Sequence, residues 1–156
     1  MNNKMMWVLR ILAIVGILGF FLPYCMVSCS SEQATFSASD LAIGTEIFDQ
    51  KIEAQPLVWL LAFIPVAMLI LAFACKTIHS KGFWFLTILE SIGALWVNGE
   101  VRNQIAIACG EYNVMYEMQI GYTLIQLFGI MGLIFAVVIF LYVSGLLKKI
   151  FNQLKG

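Results

Sequence analysis

Four long apolar runs set the terms for this chain, because segments of that kind are at home in hydrocarbon rather than in water. About 20 residues at about 1.5 Å rise cross a hydrocarbon core of about 30 Å, and the runs lie at about 5–24, 56–75, 82–98 and 120–147. The first is uninterrupted from Ile11. The third is the shortest and carries Glu90 near its middle; its apolar register continues through Val97, Val101, Ile105 and Ala108, so that helix is expected to project beyond the membrane. The fourth exceeds the spanning length and should tilt or protrude. Hydrophobic residues make up 62% of the 156 and charged residues 12%, against about 45–50% apolar in soluble domains. Such a balance excludes a soluble globule and a disordered chain, and the net charge of zero excludes a basic nucleic-acid surface. The fold class expected is all-α integral membrane: a single four-transmembrane-helix bundle over residues 1–156.

Charge placement orients the bundle, since Lys and Arg stay on the cytoplasmic side while acidic residues count for little. Lys4, Arg10, Lys76, Lys81, Lys148, Lys149 and Lys155 fall on one side with no acidic residue among them. The opposite loops hold eight acidic residues against Lys51 and Arg102, a net of −6. Both termini are therefore expected in the cytoplasm, with the loops at 28–55 and 98–119 outside. Trp7 and Trp84 fall at the inner ends of spans, Trp59 and Trp96 at the outer ends, and Tyr24 and Tyr122 mark the outer level, as residues of an interfacial belt would. The first run also resembles a secretion signal followed by Met26-Val27-Ser28-Cys29, close to a lipoprotein cleavage site. Its spanning length, and Met26 where such sites prefer Leu, favour reading it as a span.

The outer loops contain enough pattern for a small cap. Tyr24 to Cys29 alternates as a strand after Pro23, and Thr35 to Ala38 supplies a partner for a short β-hairpin. Asp40 is placed to cap a short helix through Leu41, Ala42 and Ile43, stopped by Gly44. In the second loop Tyr112, Met115, Tyr116 and Met118 offer apolar surface to pack on the first. Cys25, Cys29 and Cys109 lie on this outer side, where disulfides persist, and Cys75 on the inner side. Cys29 with Cys109 is the pairing expected, with Cys25 as the alternative partner and a local Cys25–Cys29 bridge also open. A bridge closing about 80 residues stabilises by roughly 3–5 kcal/mol. Cys75 and His79 have the spacing of half a metal site, but no further His exists to complete it, so neither a metal nor a cofactor is implied. Beyond Leu147, the residues Ile150, Phe151 and Leu154 continue one helical face with Lys148, Lys149 and Lys155 around it, suited to the inner leaflet surface.

Glu90 is the ionisable residue deepest in a predicted span. A carboxyl there is costly and reads by default as a functional group facing a bundle interior, a water path or another subunit. Helical spacing aligns Thr87, Glu90, Ser91, Ala94 and Asn98 into an intramembrane polar stripe. That stripe lines a pore or forms a packing seam, because small and hydroxyl residues let membrane helices approach closely. Gly16 and Gly19 on the first run and Gly129 and Gly132 on the fourth are the packing glycines expected. Gly16, Gly19 and Tyr142 lie at depths that suit them to surround Glu90. Pro65 bends the second run and frees a backbone carbonyl.

Nucleotide-binding loops, dinucleotide glycine fingerprints, His-Glu-x-x-His and Cys-x-x-Cys are all missing, so no enzyme is expected and no catalytic residue is assigned. The stretch Phe21-Leu22-Pro23, Val27-Ser28-Cys29, Phe36-Ser37 and Leu41-Ala42-x-Gly44 resembles small bacterial four-span proteins of unknown activity. The resemblance implies a multi-pass protein of the bacterial plasma membrane. In layout alone the chain is similar to claudin-type and connexin-type tetraspans, without the cysteine and tryptophan signatures of either. The function expected is non-enzymatic and exerted by assembly: an oligomeric channel or pore subunit with the Glu90 stripe toward the axis, or an accessory or scaffold subunit of a larger membrane complex. The partners expected are the lipid bilayer and either further copies of the chain or another membrane protein, with no nucleic acid.

Overall fold

The computed structural model describes residues 2–29, 32–47, 50–74, 81–111 and 114–145. It is mostly helical with a small sheet. Four long helices, α1 (Asn2–Phe21), α3 (Leu60–Ala74), α4 (Lys81–Glu111) and α5 (Ile120–Ser144), pack side by side, and a short helix α2 (Ala38–Ile43) lies in the cap at one end. The cap holds a three-stranded antiparallel sheet in the order β2–β1–β5, from Glu32–Ser37, Pro23–Cys29 and Met115–Met118, and a hairpin of β3 (Thr45–Ile47) with β4 (Gln50–Ile52).

Local chemistry accounts for most boundaries. Pro23 has no N–H to continue α1, so the chain turns into β1 there. The register of β1 against β2 slips between Pro23 and Cys25, a bulge that leaves Tyr24 and Cys25 both buried where strict alternation would separate them. Ser37, not Asp40, is the N-cap of α2: the Ser37 hydroxyl accepts from the Asp40 N–H and the Asp40 carboxylate accepts from the Ser37 N–H, a reciprocal box. Gly44 ends that helix at φ +93°, a conformation open to glycine. A single 3-10 turn, Pro56–Trp59, precedes α3, and α5 stops at a left-handed Gly145.

Residues of α4 run about 46 Å at 1.5 Å rise, so the third helix extends well past its apolar half, with Val97, Val101 and Cys109 still buried. The sheet forms because β5 adds to the free edge of β1, tying the segment between α4 and α5 to the segment that follows α1. Two core clusters result. One lies among the helices, around Leu9, Met68, Trp84 and Phe128; the other lies under the cap, around Phe20, Tyr24, Phe36, Val58 and Ile125.

Among the described residues, two segments are long and apolar enough to cross a membrane, Pro56–Ala74 and Ile120–Ser144, rather than the four expected, while Met5–Phe21 is a shorter apolar stretch. Helix α4 carries Glu90 and then runs into Asn98, Glu100 and Arg102. Two residues expected in an interfacial belt are instead core: Trp84 and Tyr24 are fully buried. Position along a helix sets depth, but packing sets which side a ring faces. The Cys75 and His79 spacing and the apolar face of the C-terminal tail fall outside the described residues.

Candidate functional site

The predicted polar stripe lies on α4, and the helix buries Phe83, Trp84, Thr87, Ser91, Ala94, Val97, Asn98 and Val101 along one side. Spacing of three and four residues produces that face. Within it the hydroxyls are satisfied by the helix itself. Thr87 Oγ1 donates to the Phe83 carbonyl at 3.0 Å, and Ser91 Oγ donates to the Thr87 carbonyl at 2.9 Å. Neither hydroxyl needs water or a second helix to complete its bonding. Asn98 is held from the cap: the Tyr24 hydroxyl donates to Asn98 Oδ1 at 2.7 Å, and both residues are buried. Three of the four polar residues of the stripe, Thr87, Ser91 and Asn98, therefore face the interior of the bundle and are bonded there.

The expected glycines sit at close helix approaches. A Cβ on Gly132 would stand 2.9 Å from Ser91 Oγ, and one on Gly129 would stand 2.6 Å from Leu95 Cγ, so these two glycines bring α5 against the stripe side of α4. Gly16 faces Phe128 and Pro65, and Gly19 faces Ile125 and the Gly121 backbone. They close α1 on α5 and α3 and do not surround Glu90, and Tyr142 is exposed. The anticipated cage of Gly16, Gly19 and Tyr142 around the carboxyl is thus not formed, because α1 packs on the far side of α5 and α3. A further glycine, Gly121, was not marked by sequence. Its Cβ would lie 2.6 to 2.8 Å from the carbonyl oxygens of Leu22, Gly19 and Pro23.

Glu90 stands apart from the rest of the stripe. It is turned one residue off the Ser91 direction, about 100° around the helix, and is half-buried. Its Oε2 is shielded from solvent and has no hydrogen-bond partner. Gly93, one turn on, faces Ile64 of α3, which places this flank of α4 on the α3 side. Glu90 is the one buried side-chain oxygen left without a partner among the described residues. Those residues also contain no group of three His, Cys, Asp or Glu side chains able to hold a metal ion.

In the cap, Cys25, Cys29 and Cys109 are free thiols, so the expected Cys29–Cys109 bridge is not formed. Cys25 and Cys109 are buried while Cys29 is exposed at the end of β1. Burial pushes the Cys25 thiol up to about 12, and the nearby Cys109 adds to the rise; burial raises Cys109 as well. Cys25, and not Cys29, shares the surroundings of Cys109, since it lies buried near the start of β1 while Cys29 ends the strand exposed. At neutral pH a maleimide should label Cys29 in the folded protein and reach Cys25 and Cys109 only on unfolding, read by peptide mapping. The two raised thiols favour the neutral form in the fold. Their stabilising effect is complete below the ordinary thiol range, near 9, and fades as pH climbs toward 12. A non-reducing map joining Cys29 to Cys109 would contradict the arrangement. Comparison with known proteins finds no matching protein family, no similar curated protein and no similar solved structure.

Proposed function

We propose that this chain is an integral membrane protein of four spans with both termini cytoplasmic, and that it acts by assembly as an accessory or scaffold subunit of a larger membrane complex. One observation carries the membrane part. Large apolar side chains stand exposed at helical intervals on all four long helices, among them Ile11 and Leu18 on α1, Phe63 and Ile70 on α3, Phe85 on α4 and Ile134 on α5. Soluble monomers rarely leave apolar surface of that extent uncovered, whereas lipid tails cover it without cost. The charge asymmetry between the two ends supports the orientation.

The choice of accessory subunit over pore rests on where the polar groups are. Thr87, Ser91 and Asn98 are bonded inside the bundle, so they are not available to line a path between copies. The pore reading keeps one support, the unpartnered oxygen of half-buried Glu90. Native mass spectrometry in mild detergent separates the two. The expected result is a defined complex with a second membrane protein, and purified chain that passes no current in planar bilayers. A closed ring of identical copies, with currents whose ion selectivity changes in Glu90→Gln, would overturn the proposal in favour of the pore.

A further inference from the structure

Arg10 lies half-buried in the groove between α1 and α3. Its Nε and Nη2 both donate to the carbonyl of Ala72, at 3.3 and 3.1 Å, in the last turn of α3. Its guanidinium carbon stands 4.2 Å from the centre of the Phe73 ring and 5.3 Å from that of Trp7. The carbonyl and the two rings hold the guanidinium plane but cannot neutralise its charge. Neither α1 nor α3 contains an acidic residue. A guanidinium has about five N–H donors, and the Ala72 carbonyl occupies two of them.

The position of Arg10 along the bundle says which anion is within reach. Arg10 lies five residues, about 8 Å along the helix, inside the N-terminal end of the apolar run at about 5–24, so its backbone sits in the half of the core away from the cap and a long side chain reaches that interface. Helical Cα–Cβ bonds tilt toward the N-terminus, which carries the guanidinium toward the same interface. Trp7 and Phe73 are more than half exposed there, so the holder opens on the outer surface of the bundle.

We propose that Arg10, held by the Ala72 carbonyl between Trp7 and Phe73, is a headgroup site for the phosphate of an anionic phospholipid in the cytoplasmic leaflet. The planar guanidinium fork matches the paired oxygens of a phosphate, and the flanking rings lie against the upper acyl chain of the same lipid. The inference rests on the four-span reading with a cytoplasmic N-terminus.

The full chain in mild detergent is titrated with phosphatidylglycerol, phosphatidylcholine or inorganic phosphate, with retained lipid counted by native mass spectrometry and thermal unfolding followed in parallel. Wild type is expected to retain phosphatidylglycerol over phosphatidylcholine and to unfold at higher temperature in its presence. Arg10→Gln should lower that preference about fivefold, the effect of one cation near a lipid surface. Arg10→Lys, which keeps the charge and loses the fork, should fall between; together with the wild-type series it decides the matter where Arg10→Gln does not fold. No preference in wild type, an unchanged preference in Arg10→Gln, or equal stabilisation by inorganic phosphate would each overturn the lipid site. Release of the chain from membranes by an alkaline carbonate wash would instead overturn the four-span reading itself.

Discussion

Replacing Gly121 with alanine is expected to destabilise the protein by about 2–3 kcal/mol, at the upper end of what overpacking costs. The added methyl would meet three backbone oxygens, those of Leu22, Gly19 and Pro23, all closer than 3.0 Å. Backbone cannot rotate out of the way as a side chain can. Either the first turn of α5 moves off the end of α1, or the turn from α1 into β1 shifts and disturbs the sheet. Gly99→Ala is the matched control, since nothing lies within 4 Å of its added Cβ. That change should stabilise α4 by about 0.5–1 kcal/mol, because glycine in mid-helix has more backbone freedom to lose. Chemical unfolding of both variants in mild detergent measures the contrast. Equal stabilities for the two would show that α5 can leave the α1 turn freely, contrary to the packing described.

Tyr24→Phe should cost about 1–3 kcal/mol, the usual cost of leaving a buried polar group unpaired. The variant keeps the ring and removes the hydroxyl that donates to Asn98 Oδ1 at 2.7 Å, and Asn98 is only 2% exposed. The deeper test is the double variant. Tyr24→Phe with Asn98→Leu removes both halves of the polar pair and should be closer to wild type than the two single effects predict when added. Additive losses would mean that the bond contributes little and that the two residues are placed by packing alone. Because this bond fastens the cap to α4, hydrogen exchange in β1 and β5 should quicken in Tyr24→Phe along with the loss of stability.

Much of the helical layout was legible in the sequence because hydropathy and helix breakers act locally. The runs ending near Tyr24, beginning at Pro56 and beginning at Ile120 correspond to α1, the turn with α3, and α5. The continued register through Val97, Val101 and Ile105 correctly carried the third helix beyond its apolar half. Alternation at Tyr24 to Cys29 marked β1, and the Asp40 and Gly44 signals marked α2, although the cap role belongs to Ser37, which the sequence pattern places in the partner strand. The β3–β4 hairpin was not legible, since strands of three residues are too short for a period of two to show. Nor was β5: Met115–Met118 has no buried face of its own and exists as a strand because β1 offers it an edge.

The candidate site was legible only as a list of positions. Counting along α4 places Thr87, Ser91 and Asn98 on one side of the helix, yet a pore lining and a packing seam have the same spacing. Gly129 and Gly132 approaching α4, and Tyr24 reaching Asn98, put that side inward. Cys25 shows the same limit: Cys29 is the neighbour expected for Cys109, yet the fold buries Cys25 beside it and leaves Cys29 exposed.

By itself, then, the sequence determined which residues become helix, where the cap begins and which end of the bundle carries the acid, since each depends on neighbours within a few positions. Tertiary structure alone decided which face of each helix is inward and that Glu90 Oε2 is left unpartnered. It also decided that Gly121, among the described glycines, is the one set hardest against neighbouring backbone. Those outcomes depend on contacts such as that between Tyr24 and Asn98, 74 residues apart, and a helix has no local signal for what will be packed against it.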